Sequence, residues 1–183
     1  MTDTQTRIAE NLDRQFSEMG FATQGVEALR LGANVSLRTL YKYFPSREAM
    51  VIGALRHRDA AYADWVGQGS GDGPDHVLHI LVRLSDWLGS VSNTGCLFRN
   101  ALAAYPESDP IRDAVETHKA RVRAMFCARL LDVNSNCDAE GLSASLFILH
   151  EGLTEGARLI GVKPATDATL HCARALLRSA DIQ

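Results

Sequence analysis

Apolar positions recur along almost the whole chain three to four residues apart, the spacing of one face of an α-helix. No stretch alternates with the period of two that marks a half-buried strand. Ile8, Leu12, Phe16 and Met19 form the first such stripe, and Gly20 follows where a left-handed residue closes a helix. A second helix is predicted over about 25–33, with Val26, Leu29 and Ala33 inward. After Asn34 and Val35, Ser36 is the N-cap of a short third helix that turns Leu40 and Phe44 inward. Pro45-Ser46 breaks the chain and caps a fourth helix reaching about 66, with Glu48 in its first turn, where the helix dipole favours an acid.

Glycines 67, 69, 71 and 73 then spell a flexible loop to Asp75. Helix resumes over about 76–91, carrying Val77, Ile80, Leu81, Leu84 and Leu88. A turn at Asn93-Thr94-Gly95 leads into a short helix from Leu97. Pro106–Pro110 is a second break, with Asp109 as cap and Pro110 at the first helical position of a long helix to about 131. Asp138 caps a helix over 139–160. Gly161 and Pro164 separate it from a last one over 165–180. The sum is an all-α chain of about nine helices, without an internal repeat.

The informative stretch is 24–44. Two short helices joined by a tight turn are the arrangement that lays the second helix in the DNA major groove. The turn needs one residue with positive φ, which Asn34 tolerates best after glycine. Ser36 caps the recognition helix and faces a phosphate. The outer face then offers Leu37, Arg38, Thr39, Tyr41, Lys42 and Tyr43. A guanidinium grips guanine, apolar and threonine methyl groups meet thymine methyls, and phenol and ammonium groups meet phosphates. Leu40 and Phe44 are core, not contacts.

The string VSLRTLYKYFPSREAM (Val35–Met50) resembles the signature of the TetR family. There a capped recognition helix ends in Leu-Tyr-x-Tyr-Phe, followed by a Pro/Ser break and a basic-Glu pair. Gly20-Phe21, Leu29 and Ala33 also fit the family's first two helices, and Gly95–Pro106 resembles the ligand-binding half of some members. The resemblance implies that Tyr41 and Lys42 reach the DNA, that Arg38 and Thr39 face the groove, and that Arg47 holds a backbone phosphate. It implies a three-helix helix-turn-helix DNA-binding domain over 1–48 and a helical ligand-binding and dimerisation domain over 49–183. Two positions depart from the family. Asn34 stands where glycine is usual, and Gln24-Gly25 stand where a hydroxyl residue usually caps the second helix and touches phosphate, a role left here to Thr23 or the Gln24 side chain.

One recognition helix reads few base pairs, so a homodimer on a palindromic operator is expected, with two heads one duplex turn apart. The last two helices supply the interface: Leu146, Leu149, Leu153, Leu159 and Ile160, then Leu170, Ala173, Leu176 and Leu177, with Gly152, Gly156 and Ala157 permitting close approach. A pocket for a small-molecule effector is expected in the body. Trp65, Trp87, Phe98, Met125, Phe126 and Phe147 would line it, and Asn100, His118 and His150 would orient the ligand.

Composition changes this picture little. The chain has 183 residues, 46% hydrophobic and 22% charged, with net charge −3. Residues 1–58 carry eight Lys/Arg against six Asp/Glu, the remainder eleven against sixteen, so a mildly basic head precedes an acidic body. No apolar run of about 18 residues would span a bilayer, and the polar N-terminus lacks a secretory pattern. The expectation is a cytoplasmic protein that does not engage a membrane. Cys96, Cys127, Cys137 and Cys172 are scattered as free thiols are, without the close pairs of a zinc site. A cysteine-based redox-sensing regulator of the same fold is the main alternative. His76 and His79 lack a third metal ligand, and no cofactor is expected. An enzyme reading would assemble His118, His150 and Glu151 with Cys127 or Ser145, but no G-x-S-x-G, H-E-x-x-H or phosphate loop supports it.

Overall fold

A computed structural model describes residues 2–69, 71–91 and 95–182. Among these the chain forms nine α-helices and no strand. They are α1 (Asp3–Met19), α2 (Val26–Gly32), α3 (Leu37–Tyr43), α4 (Arg47–Gly67), α5 (Pro74–Ser90), α6 (Leu97–Ala104), α7 (Asp109–Val133), α8 (Ala139–Ile160) and α9 (Val162–Ser179). None is long and apolar enough to cross a membrane. The chain divides into two compact units. The first comprises the N-terminal stretch through Ala63 together with Cys96–His118, and the second Asp64–Gly95 together with the stretch from Lys119 onward.

In the first unit α1 starts earlier than its apolar stripe suggests. Thr2 caps it, accepting from the Gln5 amide at 3.3 Å. Ile8, Leu12 and Phe16 are buried, but Met19 is 59% exposed. Phe21 takes the place expected for Met19: Gly20, at φ 74°, turns the chain back and Phe21 stacks on Phe16 at 4.7 Å. These residues share one core with Leu29, Leu40, Phe44, Met50, Leu55 and, from α6 and α7, Phe98, Ala101 and Ile111. Gly53 permits close packing there. A Cβ at that position would lie 2.3 Å from the Phe44 ring.

A buried ion cluster ties α1 to α4. Asp13 accepts from Arg58 Nε at 3.0 Å and from His57 Nδ1 at 2.9 Å, and Arg58 also donates to Ser17. Burial pushes the Asp13 carboxyl up, but hydrogen bonds from His57 and Arg58 and the Arg58 charge outweigh it and hold the group below its ordinary value.

In the second unit α5 packs against both α8 and α9. Val77, Ile80, Leu81, Leu84, Leu146, Leu153, Ala173 and Leu177 are buried, as are Phe126 and Leu130 of α7. Asp138 caps α8 as expected, accepting from the Gly141 amide at 3.0 Å. Three local expectations shift. Pro74 rather than His76 opens α5. Ser108, not Asp109, caps α7, its hydroxyl accepting from the Ile111 amide at 3.2 Å. Pro164 sits inside the first turn of α9, where the missing N–H has no helical partner to lose; Gly161 at φ 91° makes the break alone. Of the turn expected at Asn93-Thr94-Gly95, the first two residues lie outside the described ones.

Candidate nucleic-acid interface

Three local features build the recognition helix. Asn34 adopts φ 52°, the left-handed conformation the turn requires. Ser36 Oγ then accepts from the Thr39 amide at 3.1 Å and contacts the Thr39 hydroxyl at 2.8 Å. Such a cap stabilises a helix by about 1 kcal/mol. Finally Leu40 is fully buried and Phe44 nearly so, anchoring α3 on the core, each side chain contributing about 2 kcal/mol. With 3.6 residues per turn, these anchors send the other positions outward.

Exposure varies along the face expected to point outward. Ser36, Leu37, Arg38, Tyr41 and Lys42 are exposed, while Thr39 and Tyr43 are half-buried. Leu37 and Tyr41 keep 43% and 41% of their surfaces in solvent, large apolar area that nothing in the unit covers. The Lys42 ammonium lies 5.3 Å from the Tyr43 ring centre. Within α2, Arg30 is engaged by Glu27 and also donates to the Val35 carbonyl, fastening the turn from below.

Two further candidates lie differently. Gln24 is buried, and its carbonyl accepts from Arg47. Arg47 also donates to the Phe21 carbonyl and, through Nε, to the Tyr105 hydroxyl at 2.7 Å. One guanidinium therefore fastens the α1–α2 loop to the start of α4 and to the residue that ends α6. Glu48, the next residue, accepts from the Ser108 hydroxyl. Tyr105 and Ser108 escape a reading of the sequence because they lie about sixty residues from their partners, with no spacing rule to link them. Gly25 starts α2 without a side-chain cap, and Thr23, a candidate for that task, donates instead to the Met19 carbonyl at 2.7 Å.

The nine residues expected around an effector are shared between the units, half-buried Met125 falling in the second. In the first, Phe98 stacks face to face on His118 at 3.7 Å, His118 Nδ1 donates to Asp59 at 2.9 Å, and Asn100 is half-buried. In the second, Trp65 meets Trp87 edge-on at 5.8 Å, with its Nε1 donating to the Arg83 carbonyl. There too, buried Phe126 and half-buried Phe147 flank His150. His150 Nδ1 contacts Glu151 at 3.3 Å, and Lys119 binds the same carboxylate at 2.6 Å. Burial pushes Glu151 up, but the His150 hydrogen bond and the Lys119 charge and hydrogen bond prevail, bringing it to about 2. Among the described residues no group of three His, Cys, Asp or Glu is placed to hold a metal ion. His76 and His79 are occupied with Asp132 and the Gln68 carbonyl.

On α8 and α9 the apolar residues split between two faces. Leu146, Leu153, Ala173 and Leu177 are buried in their own unit, whereas Leu159 and Ile160 are 83% and 61% exposed. Ile148, not singled out by the sequence pattern, is 67% exposed. Gly152 on α8 and Ala168, Cys172 and Ala175 on α9 are also exposed.

Residues 10–54 match the sequence model of the bacterial regulatory proteins of the tetR family. No curated protein matches the chain. The fold is that of solved regulators. A TetR-family transcriptional regulator from Streptomyces coelicolor is 23% identical at a TM-score of 0.85, covering 97% of this chain and 95% of its own. The reduced form of NemR from Escherichia coli is 22% identical at 0.80, covering 95% and 97%. A TetR transcription regulator from Haloarcula marismortui is 15% identical at 0.83, covering both chains fully.

Proposed function

We propose that this chain, which belongs to the TetR family of bacterial transcriptional regulators, binds a palindromic operator as a homodimer and represses the adjacent genes until a small-molecule effector releases it. The observation that carries the DNA reading is the division of α3. Leu40 and Phe44 are sunk in the core, while Ser36, Leu37, Arg38, Tyr41 and Lys42 stand in solvent on the opposite face. A helix needed only for packing has no use for an exposed Leu, Tyr, Arg and Lys beside a tight turn. Arg38 and Thr39 read base edges, Lys42, Tyr41 and the Ser36 hydroxyl hold phosphates, and Leu37 and Tyr43 supply apolar contact at the groove wall. Gln24 and Arg47 act from behind by fixing the loop that leads into α2. The DNA-binding part is residues 1–48; residues 49–183 sense and dimerise.

The dimer forms through the outer face of α8 and α9. Ile148, Gly152 and Leu159 fall at helical spacing along one exposed stripe of α8, and Ala168, Cys172 and Ala175 along one of α9. Small residues there allow two helix pairs to approach closely, and the exposed leucine and isoleucines supply the buried area. The protein acts in the cytoplasm, beside the chromosome, and we assign it no catalytic step. Effector and operator are linked because each favours a different disposition of the heads.

Fluorescence-anisotropy titrations of operator DNA against salt test the assignment of roles. Lys42→Ala should lower affinity for all sequences and reduce the salt slope by about 1 per protomer, while Arg38→Ala should relax base preference at one position of each half-site. If both variants bind as the wild type does, α3 is not the recognition helix.

A further inference from the structure

A cleft of about 280 Å³ lies wholly within the first unit, between one face of α4 and one face of the start of α7. Its α4 wall comes from positions 52, 55, 56 and 59, and its α7 wall from positions 110, 113, 114 and 117. Three- and four-residue steps put each set on one side of its helix. The inner surface is apolar: Leu55 is fully buried, and Ile52 and Ala114 pack against the same core as the recognition helix.

The rim carries both signs of charge. Arg56 stands on the α4 wall, Asp113 and the Thr117 hydroxyl on the α7 wall, and all three are exposed. No described ion pair or hydrogen bond engages either the Arg56 guanidinium or the Asp113 carboxylate. Two opposite charges thus line one cleft without closing on each other. Deeper in, Asp59 is held in place by His118, whose ring is itself pinned flat against Phe98. The carboxylate at the back is consequently rigid, and the guanidinium at the rim is free to swing.

Charge complementarity narrows the occupant. A simple anion would meet Asp59 and Asp113, and a simple cation would meet Arg56. A molecule carrying one carboxylate and one ammonium satisfies both signs, and the apolar inner wall asks for an aliphatic body. The volume falls just below the usual small-molecule range, which limits the ligand to about ten heavy atoms. We propose that this cleft binds a small aliphatic zwitterion of the α-amino-acid class. Its carboxylate pairs with Arg56 and its ammonium with Asp113 and Asp59. Because both walls belong to the compact unit that also contains α2 and α3, an occupant bridges α4 to α7 within that same unit. None of the nine residues expected around the effector lines this cleft, although His118 and Phe98 among them fix Asp59 at its back.

Binding is read on the full chain without DNA, so the outcome does not depend on the operator reading. The five aliphatic amino acids alanine, valine, leucine, isoleucine and methionine are screened by thermal shift up to about 10 mM. The best is then measured by calorimetry beside its amide, which lacks the carboxylate, and its N-acetyl derivative, which lacks the ammonium. The expected result is at least tenfold tighter binding of the free amino acid than of either analogue. Arg56→Gln should erase the advantage over the amide, and Asp113→Asn the advantage over the N-acetyl derivative. Both side chains are exposed, and an unchanged melting temperature of the free variants confirms their folding. A panel that gives no shift overturns the proposal, as does an analogue that binds as well as the free amino acid, or retention of full affinity by both variants.

Discussion

Replacing Arg47 with alanine separates two roles that the residue type alone leaves together. An arginine at the start of α4 beside a recognition helix suits a phosphate, but this guanidinium is directed at the Phe21 and Gln24 carbonyls and the Tyr105 hydroxyl. Hydrogen bonds from a charged donor contribute about 1.5–3 kcal/mol each when desolvated. Arg47 is only half-buried, so water recovers part of each loss, and a total of about 2–4 kcal/mol is the reasonable expectation. In a chain of 183 residues each kcal/mol moves the melting temperature by about 2–4 °C. A thermal melt followed by circular dichroism, without DNA, should therefore fall by roughly 5–15 °C for Arg47→Ala. Tyr105→Phe, which removes one acceptor and keeps the ring against Phe21, should lose about 1 kcal/mol. A phosphate contact with no structural part would leave a different signature. Arg47→Ala would then melt like the wild type and flatten the salt dependence of DNA binding, and that result refutes the role as a clamp on the loop.

Three further outcomes follow from the same geometry. Asn34→Gly should raise stability by up to about 1 kcal/mol in a denaturant titration, since glycine holds positive φ without strain, whereas Asn34→Val should lower it by more. Glu151 is depressed from 4.5 to about 2. Its contribution is thus complete above about pH 4.5 and drains away as pH falls toward 2; with a third of the side chain in solvent, screening leaves about 1–2 kcal/mol. Acid titrations of wild type and Glu151→Gln should converge over that window. Asp13 is held low in the same sense, so its cluster also weakens in acid; Asp13→Ala at neutral pH should cost about 3 kcal/mol by removing the carboxylate that faces the buried Arg58 charge, and a loss below about 1 would mean the cluster is solvated.

Local features are the ones legible in the sequence. Asn34, the Ser36 cap and the buried pair Leu40 and Phe44 are each determined by neighbours within four residues, so the second half of the helix-turn-helix can be read from the order of residues alone. The same holds for the Asp138 cap and for the helical count. Contacts set by chain folding are not legible in this way. Met19 continues the α1 stripe on paper, yet Gly20 ends the helix in time for Phe21 to fill that space. Arg47 carries no mark of its partner Tyr105, and Asp13 none of Arg58, because only tertiary packing brings them together. The aromatic residues of the body are recognisable as apolar, but spacing does not say that Phe98 stacks on His118 while Trp65 pairs with Trp87. On α8 and α9 periodicity identifies apolar helices without telling the inward leucines from the outward ones, a distinction that needs the position of α5.

If α3 reads DNA as one of two symmetric copies, selection of bound duplexes from a random pool by the full chain will reveal it. The predicted result is enrichment of an inverted repeat whose half-site centres lie one duplex turn, about 34–36 Å, or a multiple of it apart. Arg38→Ala should change the preferred base within each half-site. Recovery of a pool indistinguishable from the input, or of a motif that Arg38→Ala and Lys42→Ala bind as the wild type does, would contradict it.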